Sequence, residues 1–221
     1  MGNITITEIK KDSYVKIFLD AADKNFAAIG YKEHGLRHAK LTSNIAGNVL
    51  AYLNFPKRDV ELAQIAGYLH DIGNSIEMHQ HTLSGALLAK RFLQRMNMKD
   101  SEIIKIVTAI GSHEEKDIVP GSELTAAVIL GDKTDVHHTR VRTEKRTGLD
   151  EHTRVNLACT NSFLRVDAKS KTVSLELTIN TKIIDIGEYF ETFLERMLQL
   201  KKAANYFKCM FVLYINKNKF L

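Results

Sequence analysis

A histidine and an aspartate stand side by side in the apolar stretch from Ala66 to Asn74, and both can bind a metal ion. Apolar residues recur at helical spacing from Val60 to Leu69, and Gly73 is placed to end that helix in a left-handed conformation. His70 and Asp71 then fall in the last helical turn, where free carbonyl groups and the helix dipole favour a cation. A capping aspartate beside a hydrogen-bonded core histidine is the alternative interpretation of this pair.

Other metal-capable side chains recur near the ends of neighbouring predicted helices. His38 leads into the apolar stripe of a helix predicted from Glu33 to about Leu53, where a metal ligand and a core histidine are both open interpretations. His34 lies one turn earlier on the same face and fits a pocket mouth or a surface position. An acid buried behind an apolar run needs an ion-pair partner, a hydrogen bond or a metal. The remaining candidates are His81 at the entrance of one helix, His113 at the end of the next, and Asp132 behind the apolar run 126–130.

The elements that must position these side chains are mostly helices. Apolar residues at a period of 3.6 predict helices over most of residues 12–135, the first from Asp12 to about Ile29. The period changes to two between Val155 and Ile179, which predicts a β-hairpin or a small antiparallel sheet. A further helix is predicted from Ile184 to about Leu200, and the run 210–215 fits a strand or a helix end. We therefore expect a mainly α fold, with a helical core over residues 1–140 and an α+β appendage over 141–221 packed on it.

Composition narrows the class of protein. A chain of 221 residues with 44% hydrophobic and 26% charged residues fits one soluble globular domain. No apolar stretch is long enough to span a bilayer and no leader pattern is evident, so we expect a cytoplasmic protein without a membrane partner. Cys159 and Cys209 are expected to be buried free thiols. The net charge of +5 suits anionic ligands such as phosphates but does not indicate a nucleic-acid binder.

A basic segment runs from Val136 to Arg154 and includes Arg140 and Arg142. One interpretation of this segment is a solvent-exposed loop that connects two elements. The functional alternative is a rim near Asp132 that attracts phosphate.

The order of these side chains resembles the HD-domain metal-dependent phosphohydrolase superfamily, whose signature is a first histidine, an adjacent His-Asp pair and a later aspartate. The matching residues are His38 in Leu36-Arg37-His38-Ala39, the pair His70-Asp71, and Asp132 in Gly131-Asp132-Lys133. The resemblance covers roughly residues 12–140 and implies a helical metal-binding core.

The other histidines extend this resemblance. His81 and His113 occupy, in order, the places where a subset of the superfamily completes a second metal site, and His34 stands where some relatives have a further ligand. The resemblance thus implies a binuclear centre bridged by Asp71, with iron or manganese favoured. The implied metal ligands are His38, His70, Asp71, His81, His113 and Asp132.

The implied activity is hydrolysis of a phosphomonoester or phosphodiester in a nucleotide or other small phosphorylated metabolite, through a metal-activated water. Asp71 and Lys133 are the expected catalytic residues, and Arg140 and Arg142 are expected to contact phosphate. A cyclic dinucleotide is disfavoured because Asn74 replaces the lysine usual in the phosphodiesterases that cleave such substrates. A metal- or nucleotide-binding regulatory protein without turnover and an HD-type di-iron oxygenase stay open as alternatives, as does a homodimer.

Overall fold

The computed structural model of the protein describes residues 3–28, 32–115, 119–142 and 149–221. Most of this chain is helical, which confirms the predicted mainly α fold. The helices are α1 Ile6–Lys11, α2 Ser13–Ala28, α3 Leu36–Tyr52, α4 Lys57–Leu69, α5 His81–Arg95, α6 Asp100–Gly111, α7 Glu123–Thr134, α8 Glu151–Ala158 and α9 Ile186–Tyr206. The strands are β1 Cys159–Asp167, β2 Thr172–Ile179, β3 Met210–Ile215 and β4 Asn218–Lys219. No helix in these ranges is both long and apolar enough to cross a membrane.

Helices α3, α4 and α7 form the centre of the helical core, with α3 packed against the other two. Helix α7 is buried on all sides from Leu124 to Thr134, as expected for a helix that is apolar around its whole circumference. Two glycines permit the close approach of the three helices. A Cβ on Gly67 or Gly131 would lie 3.0 Å or 2.8 Å from the backbone oxygen of Thr42. This packing brings the ends of the three helices to one place.

Helix α5 packs against the short 3₁₀ turn Ile72–Ser75, which follows α4. Gly73 lies in this turn and does not adopt a left-handed φ, so its predicted role as a helix-ending residue is wrong. It is needed instead for close packing. A Cβ on Gly73 would overlap the carbonyl oxygen of His81 and lie 2.5 Å from the backbone nitrogen of Gly85.

Substitution Gly73→Ala is therefore expected to lower the free energy of unfolding by more than about 2 kcal/mol, because backbone rather than a flexible side chain must move. Gly121→Ala is the matched control, since a Cβ there meets nothing within 4 Å. Urea unfolding followed by circular dichroism measures both. Equal stability of the two variants would contradict the packing role of Gly73.

The C-terminal part forms a four-stranded sheet in the order β1-β2-β3-β4. The predicted hairpin is confirmed, because β1 and β2 pair antiparallel. It begins at Cys159 rather than Val155, since residues 151–158 form helix α8, capped by the Asp150 side chain. Strand β3 pairs parallel with β2, and α9 makes the crossover that a parallel connection requires. Helix α9 also packs against α7, which joins this part to the helical core.

Candidate metal centre

Six side chains that the sequence indicated as ligands meet where the helix ends converge. All are buried except His81, which is partly exposed. Their ligand atoms form three overlapping groups, and within each group the atoms lie within 4.8 Å of one another. The groups are His38–His70–Asp71, His70–His113–Asp132 and Asp71–His81–His113.

In each of the four histidines, Nδ1 is held by a hydrogen-bond acceptor. A carbonyl or carboxylate oxygen can only accept, so Nδ1 carries the hydrogen and Nε2 of the neutral ring presents a lone pair. The Nδ1 atoms lie 2.7 Å from Asp135 Oδ2 for His38, 2.9 Å from Gly67 O for His70, 2.8 Å from Met78 O for His81 and 2.7 Å from Ile110 O for His113.

The four Nε2 atoms face a common space. His38 Nε2 and His70 Nε2 lie 3.1 Å apart, although neither can donate to the other when both rings are neutral. Within the described residues, the buried Nε2 atoms of His81 and His113 have no hydrogen-bond partner. Converging lone pairs beside carboxylates are the donor set of a divalent metal site. The residues present therefore fit a metal.

Asp71 lies between two pairs of histidines. Its Oδ2 is 3.5 Å from His38 Nε2 and 3.4 Å from His70 Nε2. Its Oδ1 is 3.5 Å from His81 Nε2 and 4.0 Å from His113 Nε2. Metal–ligand bonds of about 2.1 Å separate neighbouring ligands by about 3.0–3.4 Å, so the spacing is close to that of a coordination shell. Each carboxylate oxygen of Asp71 thus faces one pair of histidines.

A pocket of about 240 Å³ opens onto this cluster. Asp71, His81 and Asp132 line one part of it. The rest of its wall includes four basic side chains, an arrangement that attracts anions. These are Lys32, Lys133, Arg140 and Arg196.

Comparison with known protein families identifies the family of this chain. A family model described as the HD domain matches residues 31–153, more than half of the chain, and the match includes all six clustered side chains. The chain belongs to the HD-domain family. The predicted resemblance to the HD metal-dependent phosphohydrolase superfamily is therefore confirmed, and the matched range contains His38, His70, Asp71 and Asp132.

The chain is also similar to several known proteins. It is 29% identical over 160 residues to an uncharacterised protein of Methanocaldococcus jannaschii, covering 61% of this chain and 60% of that protein. It is 33% identical over 108 residues to ribonuclease Y of Lawsonia intracellularis, covering 48% of this chain but 18% of the relative. The crystal structure of a predicted HD superfamily hydrolase from an uncultured Thermotogales bacterium shares 23% identity, with a TM-score of 0.40, over 57% of this chain and 74% of that one. The chain thus spans less than two thirds of both curated relatives.

Asp135 supports the HD cluster from behind. Its Oδ2 accepts from His38 Nδ1 at 2.7 Å, and its two oxygens accept from Arg37 at 3.2 Å and 2.7 Å. Burial alone would raise the pKa of Asp135, but Arg140, His38 and Arg37 together hold it well below its ordinary range. The carboxylate stays ionised and fixes the His38 ring with Nε2 toward the cluster. The sequence analysis missed this residue, although an acid three positions after Asp132 is visible in the sequence.

Asp135→Asn is expected to lower metal affinity about 10- to 100-fold, the usual cost of losing an acceptor behind a metal-binding histidine. Competition with a chelating dye measures the affinity. Asp59→Asn is the control, because it removes an ion-paired carboxylate that bonds Lys105 on the surface, away from the cluster. Unchanged affinity in Asp135→Asn would show that His38 needs no such support.

Of the predicted site residues that are not in the cluster, some line the pocket and one lies outside it. His34 lines the pocket, stacks on Phe26 at 4.0 Å, and belongs to none of the three ligand groups. It precedes α3, which begins at Leu36 and not at the predicted Glu33, because Gly35 takes the N-cap position. Arg142 does not line the pocket and instead pairs with Asp23.

Arg140 and Lys133 line the pocket but already have partners. Arg140 is buried and donates to the backbone oxygens of Glu33 and Asp135. Lys133 Nζ lies 2.7 Å from Asp132 Oδ2 and 2.9 Å from Glu114 Oε1. Burial opposes the charged form of Lys133, but these two carboxylates outweigh it and raise the pKa. Residues 143–148 of the predicted basic segment lie outside the described residues.

Two pocket residues escaped the sequence analysis. Lys32 lies in the wall, where burial and the charges of Arg140 and Arg196 lower its pKa to about 7. Arg196 comes from α9 and donates to the backbone oxygens of Lys133 at 2.7 Å and Asp132 at 2.9 Å. It thereby ties α9 to the end of α7 that carries Asp132. A single arginine in an amphipathic helix gives no signal of such a contact.

The electrostatics of the metal-free cluster link metal binding to proton release. Burial alone would lower the pKa of His70, but Asp71 and Asp132 raise it to about 9. Burial and the charge of His70 lower the pKa of His113 to about 4. At neutral pH the His70 ring of the metal-free protein is therefore protonated. Protonation of His70 contributes to the free energy of unfolding. The contribution is fully present below about pH 6.5 and is lost as the pH rises through 9.

Metal binding at neutral pH is expected to release about one proton, because His70 must give up its Nε2 proton to become a ligand. Metal affinity should then rise with pH up to about 9. Calorimetric titration with Mn²⁺ in buffers of different ionisation enthalpy counts the protons released. Binding without proton release at neutral pH would contradict the raised pKa of His70.

Proposed function

We propose that the protein is a metal-dependent phosphohydrolase that cleaves a phosphate ester of a nucleotide or other small phosphorylated metabolite. One observation carries this proposal. Six buried or partly buried metal-capable side chains cluster in an HD-family chain, and three of them, Asp71, His81 and Asp132, line a pocket that also has four basic side chains in its wall. Such a pocket brings a cation-binding cluster and a phosphate-attracting wall together.

The cluster would hold two divalent ions. His38, His70 and Asp132 would serve the first and His81 with His113 the second, while Asp71 would bridge them through its two oxygens. Mixed imidazole and carboxylate ligands suit iron or manganese. When bound, such ions lower the pKa of water and offset charge on the phosphoryl oxygens.

The side chains around the cluster orient the ligands and attract the substrate. Lys133 holds Asp132 Oδ2 at 2.7 Å, which leaves Oδ1 facing His38 Nε2 at 3.4 Å. Arg140, and Lys32 in its protonated form, supply positive charge at the pocket wall that draws a phosphate toward the cluster. Burial alone would raise the pKa of Asp71, but the charge and hydrogen bond of His70 outweigh burial and hold this pKa well below its ordinary range. Asp71 therefore acts as an ionised ligand at neutral pH.

The pocket volume of about 240 Å³ favours a small substrate. A short RNA is the second candidate, because the Lawsonia intracellularis relative is named ribonuclease Y and is 33% identical over 108 residues.

A panel of nucleotides, sugar phosphates and a short RNA tests the proposal with Mn²⁺-loaded and anaerobically Fe²⁺-loaded protein. We expect metal-dependent release of phosphate from at least one small ester. Cleavage of the RNA alone would favour the second candidate. Oxygen consumption by the reduced iron form without phosphate release would instead indicate an oxygenase. Metal and nucleotide binding without any turnover would indicate a regulatory protein.

A further inference from the structure

A second cavity of about 200 Å³ lies next to the metal pocket. Glu114, Lys133 and Arg196 line both spaces, so the two cavities meet at these side chains. The other lining residues come from α8 and α9 and include His152, Phe193 and Gln199. We call this space the α8–α9 cavity. Most of its own wall follows residue 153, where the HD-domain match ends, so it is a feature added to the metal-binding core.

The wall of the α8–α9 cavity changes in character with distance from the metal pocket. The shared side carries Lys133 and Arg196 beside the Glu114 carboxylate that pairs with Lys133, so two cationic groups face one anionic group and leave a net positive charge. The residues that line only this cavity offer hydrogen-bond acceptors, namely the Glu195 carboxylate, the Thr192 hydroxyl and the Gln199 amide oxygen. In the described structure the buried Thr192 Oγ1 has no hydrogen-bond partner. A ligand that fits both sides carries an anion at one end and hydroxyl donors at the other.

One side of the cavity is aromatic. The rings of His152 and Phe193 lie 5.4 Å apart and tilted by 36°. Sugar rings combine an apolar face with hydroxyl groups at the edge, so an aromatic side next to acceptors suits such a ring. The volume limits the occupant to a group of about this size.

We propose that the α8–α9 cavity binds the sugar ring of the substrate while the attached phosphate lies in the metal pocket. This inference rests on the proposed phosphohydrolase function. The substrate class is then a phosphorylated, hydroxyl-rich ring, which both sugar phosphates and nucleotides contain. Glu195 and Gln199 determine specificity for the leaving group, and Lys133 and Arg196 lie where the two parts of the substrate join.

Binding of non-hydrolysable phosphonates to the Mn²⁺-loaded protein tests this without turnover. Calorimetry compares methylphosphonate with the phosphonate analogues of ribose 5-phosphate and of adenosine 5′-monophosphate. Two or three hydrogen bonds to the ring are expected to make the ribose compound bind about tenfold tighter than methylphosphonate. The adenosine compound distinguishes the two sources of the ring, because tighter binding than the ribose compound indicates a nucleotide and weaker binding a sugar phosphate.

A matched pair of variants locates the effect. Glu195→Tyr places a bulky ring at an exposed position that lines the cavity, whereas Glu191→Tyr does so one helical turn earlier, at an exposed position outside its lining. Glu195→Tyr is expected to abolish the tenfold preference for the ribose compound and to leave methylphosphonate binding unchanged. Glu191→Tyr is expected to retain the preference.

The possible results separate this inference from the proposed function. Equal binding of methylphosphonate and both ring-bearing compounds to the parent protein, or a preference that survives Glu195→Tyr, would overturn the assignment of the α8–α9 cavity alone. Failure of every phosphonate to bind, together with no phosphate release from the substrate panel, would overturn both.

Discussion

Replacing Asp71 by alanine is expected to abolish metal binding and to lower phosphohydrolase activity by more than about 100-fold. Loss of a residue behind a ligand already costs about 10- to 100-fold, and Asp71 faces both histidine pairs directly. His70→Ala is expected to have the same effect. Both variants should keep their helices, because the buried residues Leu62, Ile65 and Leu69 hold α4 in the core.

Elemental analysis, phosphate release and circular dichroism test these variants together. Asp20→Ala is the control, since Asp20 is an exposed aspartate that pairs only with Lys24 in the described structure, at 3.9 Å. Full metal content and turnover in Asp71→Ala or His70→Ala would show that the central assignment is wrong. Loss of helical signal in either variant would instead give the pair a structural role.

His81→Ala or His113→Ala is expected to lower the metal content from about two ions per chain toward one and to reduce activity, because each removes a ligand of the second ion. Their Nε2 atoms face Asp71 Oδ1 at 3.5 Å and 4.0 Å. In the proposed binuclear centre the first ion would retain His38, His70 and Asp132. His79→Ala is the control, since His79 is exposed and lies two positions before His81.

A mononuclear centre predicts the opposite pattern. The parent protein would then hold one ion per chain after anaerobic loading with iron or with manganese, and the His81 and His113 variants would hold the same amount. This result would rule out the binuclear centre and leave membership of the HD-domain family intact.

The clustered side chains could be found from the sequence because each interrupts an apolar helical pattern near its end. A polar group there must be paired, hydrogen-bonded or bound to a metal, so His70, His113 and Asp132 are conspicuous without a structure. The order of these residues along the chain resembles the HD signature, and this resemblance indicated which of them are metal ligands. The structure adds that an acceptor holds Nδ1 of each ring, so that Nε2 faces the cluster. Residue spacing does not reveal these hydrogen bonds.

The supporting residues could not be found in this way, because their contacts are long-range. Arg196 reaches Asp132 from a helix more than sixty residues later. The parallel pairing of β2 with β3 likewise depends on how α9 returns the chain to the sheet. Neither contact leaves a periodic signal in the sequence.

Helices α8 and α1 were not predicted, although the sequence contains a capping signal for each. Residues 155–159 alternate in polarity, but Asp150 caps a helix there by accepting from Thr153 N at 2.9 Å. Helix α1 was missed although Thr5 and Glu8 form a capping box, with the three-residue spacing typical of a helix start. At both places the cap residue indicates the start of a helix, which the local polarity pattern does not.

The central claim is that hydrolysis of a phosphate ester depends on divalent metal at the HD cluster. Its most direct test is phosphate release by metal-stripped protein as Mn²⁺ is added in stoichiometric steps, with the best substrate of the panel. We predict no release before addition and a rise that ends at about two equivalents per chain, as expected for a paired-metal site. Equal turnover by the stripped protein, or no phosphate from any substrate at full metal loading, would contradict the account.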